Sequence, residues 1–214
     1  MTTAAAGTLS ARFGHLLNHD RVEIRLLSMT ALVGAVFVSA WVLSYHFLPQ
    51  GLLRGGNPVA TAPYAGSVTA EFLQLFGWNV GVSLLAIGAN TFRSVNTPLG
   101  YLFVVVQAPR YGAVWGTGSL GVGTGARIEP ALQVLVARSG PMEILGIVAI
   151  VVATRGVMLW HQQSGPRTTV PFDRVRSPQD WSISRRELAV LLGGYAVLAI
   201  ANYREALAIA GVAA

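Results

Sequence analysis

Long apolar runs separated by short segments bearing arginine, glycine and proline set the rhythm of this chain. A helix rising about 1.5 Å per residue needs ~20 apolar residues to cross a ~30 Å hydrocarbon core. Five runs meet that length: 26–48, 71–92, 99–124, 141–160 and 187–212. Between them, 49–69 reads as a Gly, Pro and Thr-rich loop, 93–98 as a tight connection, 125–140 as a mixed segment and 161–186 as a polar loop. Ahead of the first run, Leu9, Phe13, Leu16, Leu17 and Ile24 recur at near-helical spacing among arginines and histidines. That pattern predicts a short amphipathic helix lying at a membrane interface. The expected fold is all-α: an integral membrane helical bundle of about five transmembrane helices. One transmembrane domain, 26–214, follows a cytoplasmic amphipathic segment, 1–25.

The third run carries a fault. The stretch "VVVQAPRYGAVWG" places Arg110 near mid-span, flanked by Gln107, Pro109 and Gly112. A charge at that depth costs roughly 2.5–3.5 kcal/mol on insertion scales. Proline removes a backbone donor, and glycine admits irregular backbone. The expectation is a third helix broken or kinked near Pro109–Gly112 and buried in protein. The alternative reading is two half-spans around a tight turn, with Arg110 near water.

Composition agrees with the pattern. Of 214 residues 53% are hydrophobic and only 11% charged, and the mean hydropathy is +0.54, where a soluble domain carries about 25% charged residues. No cysteine is present, which excludes disulfides, thiol catalysis and Cys-based metal sites. All fifteen basic residues are arginine. With the N-terminus inside, the inner segments hold Arg12, Arg21, Arg25, Arg93, Arg167, Arg174, Arg176, Arg185 and Arg186. The outer segments hold only Arg54, Arg127 and Arg138. The positive-inside rule then gives a multi-pass protein of the cell membrane, N-terminus cytoplasmic and C-terminus outside. The first apolar run reads as an uncleaved signal-anchor. The net charge of +6 is accounted for by topology rather than by nucleic-acid binding.

Glu143 follows Pro141 at the opening of the fourth run. One reading makes it a first-turn carboxylate favoured by the helix dipole, by ~0.3–1 kcal/mol. The other makes it an intramembrane group facing the bundle interior. Asn79, Arg110, Glu143 and Glu205 fall in the outer half of this topology, which suggests a polar cluster of Asn79, Gln107, Arg110, Glu143 and Glu205 with Arg110 paired to a glutamate. Of the neighbours Arg204 and Glu205, one is expected to turn inward and the other to snorkel out. Arg155, inside the fourth run, is expected to snorkel to the inner interface. The pairs Gly112/Gly116 and Gly77/Gly81 have spacing suited to close helix packing, and homodimerisation through glycine faces is left open.

Catalytic and cofactor motifs fail on physical grounds. Ser119 and His161 fall at opposite ends of their spans, whereas a base must lie within ~3 Å of the proton it takes. His15 and His19, four apart, lack a third ligand. "GTGSLGVGTG" lacks the lysine of a phosphate loop. No enzyme, cofactor or metal site is expected.

These residues also carry a resemblance. "RSGPME" is similar to the Pro-His-Gly-x-x-Glu motif that opens the fourth span of the stage II sporulation protein M family. Gly140 and Glu143 match, while Arg138 and Ser139 stand in place of the proline and histidine. Trp78-Asn79 resembles the second half of the family's asparagine pair. Gln107-Ala108, followed by Gly112, stands where its Asn-Gly lies, and Ala201 to Glu205 resembles its late Ala-x-x-x-Glu. The resemblance runs over about residues 70–160 and again near 201–206. It implies a five-span scaffold that anchors partner proteins, as members in spore formers look to anchor a cell-wall-degrading complex. The serine in place of histidine implies a structural rather than a reactive site. The expected function is a membrane scaffold whose partners are membrane lipids and other membrane or envelope proteins. The alternative is a small transporter or channel subunit using Arg110 and Glu143.

Overall fold

The structure is a computed structural model and describes residues 14–54, 64–120, 126–163 and 170–213. Six α-helices organise the described residues: α1 (Val22–Phe47), α2 (Val68–Asn90), α3 (Leu99–Gly116), α4 (Leu132–Ala137), α5 (Gly140–Ala153) and α6 (Arg185–Ala213). Of the amphipathic helix expected over 8–24, residues 14–17 are helical and turn at Asn18 into α1. Its first part, with Arg12, lies outside the described residues, as do Arg167 and the end of the third run.

Each long helix buries one stripe. In α1 the buried positions are Val22, Arg25, Met29, Val33, Phe37, Trp41 and Ser44; in α2 they are Glu71, Leu75, Asn79, Ser83, Ala86 and Asn90. Steps of three and four residues keep such positions on one face. The opposite faces remain apolar and uncovered: Leu27 is 72% exposed, Leu73 61% and Leu85 67%. A soluble bundle would place polar residues there. Two helices, α1 and α2, are long and apolar enough to cross a membrane.

Small residues bring the helices together. A Cβ added at Gly112 would collide with the Phe37 carbonyl oxygen and one at Gly116 with Ser44 Oγ, so α3 lies almost backbone to backbone on α1. Gly146 and Gly194 play the same part between α5 and α6, each with the other's carbonyl oxygen about where its Cβ would touch. Gly77 and Gly81 face open space and pack nothing. Helix α5 is the axis of the bundle, with every residue from Gly146 to Ala153 buried. It ends well short of the expected 160. Its 14 residues span only about 21 Å, and a 3-10 turn, Arg155–Val157, follows. Arg155 therefore lies beyond the helix rather than within a span.

Two further expectations are corrected. The third helix is not broken: α3 runs without interruption through Pro109–Gly112. Proline deletes one hydrogen bond, but the clamp on α1 at Gly112 and Gly116 holds the turns that follow it, and such prolines are tolerated where neighbouring helices support the backbone. Nor is the chain purely α. Four short strands, β1 (Phe92–Ser94), β2 (Thr97–Pro98), β3 (Trp160–Gln162) and β4 (Asp173–Arg174), form a sheet in the order β2-β1-β3-β4. β1 pairs antiparallel with β2 and parallel with β3, Arg93 lying opposite His161; β3 pairs antiparallel with β4. The expected tight connection at 93–98 is thus a hairpin at one sheet edge. Strands of two or three residues show no period that a sequence could reveal.

At the opposite end of the bundle, Trp41 Nε1 donates to the Ile128 carbonyl at 2.8 Å, and the Trp41 and Trp115 rings meet edge-on at 5.1 Å. Buried Ile128 thereby ties the segment after α3 back between α1 and α3. α4, which has no buried residue, lies outside it.

Candidate functional site

Helices α2, α5 and α6 meet around a group of polar side chains at the end of the bundle away from the sheet. Asn79, 7% exposed, projects from the buried stripe of α2. Its Nδ2 donates to Asn202 Oδ1 at 2.7 Å and to Glu143 Oε1 at 3.2 Å. Asn202, fully buried on α6, donates in turn to the Leu198 carbonyl at 2.7 Å. Ser139 Oγ, at the N-cap of α5, donates to Glu205 Oε2 at 3.3 Å. The Glu143 and Glu205 carboxyls lie near each other.

The local sequence explains the placement. Pro141 sits in the first positions of α5 and Glu143 in its first turn, so the carboxylate is both a first-turn group and a member of the cluster. Gly140 lets the start of α5 lie against the Trp115 ring, whose Cζ2 would stand 2.9 Å from a Cβ. On α6, Asn202 and Glu205 are three apart and share a face. Arg204 turns outward, donating to the Ala137 carbonyl at 2.9 Å and to Met142 Sδ.

The structure brings together three of the five expected cluster residues: Asn79, Glu143 and Glu205. Arg110 is not among them. Its side chain is exposed and forms no ion pair among the described residues. The face of α3 that packs inward runs through Tyr101, Val104, Ala108, Gly112 and Trp115, and at 100° per residue Arg110 falls on its far side. Gln107 and Tyr111 line a small cavity whose other walls are apolar, among them Val33, Val82, Phe103 and Ile147. Pro109 is half-buried within the continuous helix.

Two members were not foreseen. Asn202 lies in "AIANYREAL", and the argument that singled out Asn79, a polar amide in an apolar run, applies to it equally. Ser139 had been noted only as a replacement for histidine. The remaining motifs stay apart: Ser119 is buried against Thr117 Oγ1 and the Leu53 amide, while His161 meets the Val95 carbonyl in the sheet. No group of three or more potential metal ligands occurs among the described residues.

The group bridges three helices, its amides, carboxyls and hydroxyl hydrogen-bonding one another and the Leu198 carbonyl. No protein-family model, curated protein or solved structure matches the chain.

Proposed function

We propose that the protein is a multi-pass membrane scaffold, with α1, α2, α3, α5 and α6 crossing or filling the bilayer and the sheet on the cytoplasmic side. The observation that carries this reading is the closure of the polar cluster. Asn79, Asn202, Glu143, Glu205 and Ser139 bond among themselves, and the neighbouring cavity is small and walled by apolar side chains apart from Gln107 and Tyr111. A transport pathway would need polar groups facing an open, water-lined route. The apolar outer faces of α1 and α2 favour lipid as their surroundings, and the arginine distribution favours a cytoplasmic N-terminus. The resemblance to the stage II sporulation protein M family points the same way, toward anchoring partner proteins.

The docking surface in this reading includes α4, where Leu132 is 80% and Val136 79% exposed. Photo-crosslinking residues placed at those positions in native membranes should capture a discrete protein partner. Capture of lipid alone would defeat the scaffold reading. A second reading, a small transporter or channel subunit, draws on the nearness of Glu143 and Glu205. It requires ion or solute flux in proteoliposomes that falls on Glu143→Gln, and the scaffold reading expects no flux.

A further inference from the structure

At the sheet end, three arginines and a tyrosine from four different elements converge. Arg25 of α1 is 2% exposed. Its Nη1 donates to the His19 and Asp20 carbonyls at 2.9 and 3.0 Å, and its Nη2 to Glu187 Oε1 at 2.7 Å. Arg155, in the turn after α5, donates from Nη1 to the same His19 carbonyl at 3.5 Å, so the two guanidinium groups are neighbours. Arg93 of β1 acts electrostatically on both Arg155 and Tyr101. Tyr101 of α3 is 2% exposed and lies beside Arg25.

Three donor atoms here are buried without a hydrogen-bond partner: Arg25 Nε, Arg93 Nε and Arg155 Nε. Buried polar atoms normally find partners, and one left unmade costs the group's full desolvation. Charge is unbalanced as well. Of the carboxylates near these arginines, Glu187 is engaged with Arg25, while Asp20 acts on Arg155 without a direct bond. Arg176 adds a further positive charge near Arg93. Burial, and then the charge of Arg155, hold the Arg93 pKa below its ordinary value, yet a guanidinium stays protonated in proteins. Like charges so gathered repel unless an anion lies among them. Arg93 and Arg155 remain partly exposed.

We propose that Arg25, Arg93, Arg155 and Tyr101 form a binding site for a phosphate-bearing anion at the sheet end of the bundle. Phosphate chemistry suits it better than a lone carboxylate. Several guanidinium donors and a hydroxyl can be met together by a tetrahedral group of up to two negative charges, and Arg is the side chain suited to such recognition. The same chemistry is offered by an anionic phospholipid headgroup and by soluble phosphate. The site is independent of the scaffold reading.

The test uses the full chain in phosphatidylcholine nanodiscs. Thermal stability is followed while inorganic phosphate is titrated against chloride at matched ionic strength. It is also compared with nanodiscs containing phosphatidylglycerol, with native mass spectrometry counting bound phosphate or lipid. A rise in Tm with phosphate identifies a soluble occupant, and a rise only with phosphatidylglycerol identifies a headgroup; either supports the site. Arg93→Gln should weaken the responding arm about tenfold or more, while in plain phosphatidylcholine it should be at least as stable as wild type, because a repelling charge is gone. Tyr101→Phe, which keeps the ring's packing, should weaken the same arm by several-fold and decides the matter if the arginine variant fails to fold. No response in either arm, or a response unchanged in both variants, overturns the proposal.

Discussion

Removing the amide of Asn79 tests the cluster most sharply. In Asn79→Ala, Asn202 Oδ1 loses its 2.7 Å donor and Glu143 Oε1 its 3.2 Å donor. Asn202 is fully buried, so its oxygen cannot turn to water, and leaving a buried acceptor unmade costs roughly 1–3 kcal/mol. Hydrogen bonds between membrane helices measure lower, about 0.6 kcal/mol on average and up to about 1.7, because the unfolded state in a membrane also finds partners. The longer contact to Glu143 adds little. The expected loss is about 1–2 kcal/mol, read by SDS or thermal unfolding in mild detergent micelles. A double-mutant cycle of Asn79→Ala with Asn202→Ala should show a coupling of at least about 0.5 kcal/mol. The companion cycle, Arg110→Ala with Glu143→Ala, should be additive within about 0.3–0.5 kcal/mol, since the two side chains form no ion pair. Additivity in the first cycle, or clear coupling in the second, would refute the arrangement of the cluster.

Other positions make comparable demands. Gly116→Ala should destabilise by about 1–3 kcal/mol through overpacking against α1, whereas Gly81→Ala, facing open space, should be neutral or stabilising by up to about 1 kcal/mol; the same unfolding assay reads both. Trp41→Phe removes the donor to the Ile128 carbonyl and should cost about 1–3 kcal/mol, with faster proteolysis in residues 126–131 as a second readout. Val95 holds φ at +53° in the β1–β2 hairpin and is 43% exposed. Replacing it with asparagine, which tolerates that conformation, should raise stability by about 1 kcal/mol; a loss would show that Val95 packs against something important to the fold. Arg25→Met leaves Glu187 without its 2.7 Å partner. It should cost less than the roughly 3–5 kcal/mol typical of a fully buried pair, because Glu187 is 21% exposed and also closes a capping box with Ser184.

The sequence disclosed what depends on long periodic patterns. The start and end of α1, α2 and α6 fall within a few residues of the expected runs, because twenty or more apolar positions leave little freedom. It also disclosed Asn79, Glu143 and Glu205 as neighbours, since polar groups in apolar helices seek one another. The face of α3 was harder to read. Arg110 drew notice for its charge, but the packing face is set by Gly112 and Gly116 against α1, and a glycine declares its neighbour only once the helices meet. Two other glycines at the same spacing, Gly77 and Gly81, pack nothing. The sheet was invisible because Phe92–Ser94 and Trp160–Gln162 pair across nearly seventy residues with too few positions to alternate. Arg25 was read as the inner boundary of the first span. Its burial depends on Glu187, which is supplied by a distant part of the chain.

The proposed membrane bundle would have the sheet inside the cell and α4 outside it. The chain contains no cysteine, so single cysteines can be introduced without background. Val95→Cys and Leu132→Cys should be placed separately in the full chain and treated in intact cells with a membrane-impermeant thiol reagent. Labelling of Leu132→Cys in intact cells, with Val95→Cys labelled only after permeabilisation, is the expected result. Labelling of both positions in intact cells, or the reverse pattern, would contradict the account.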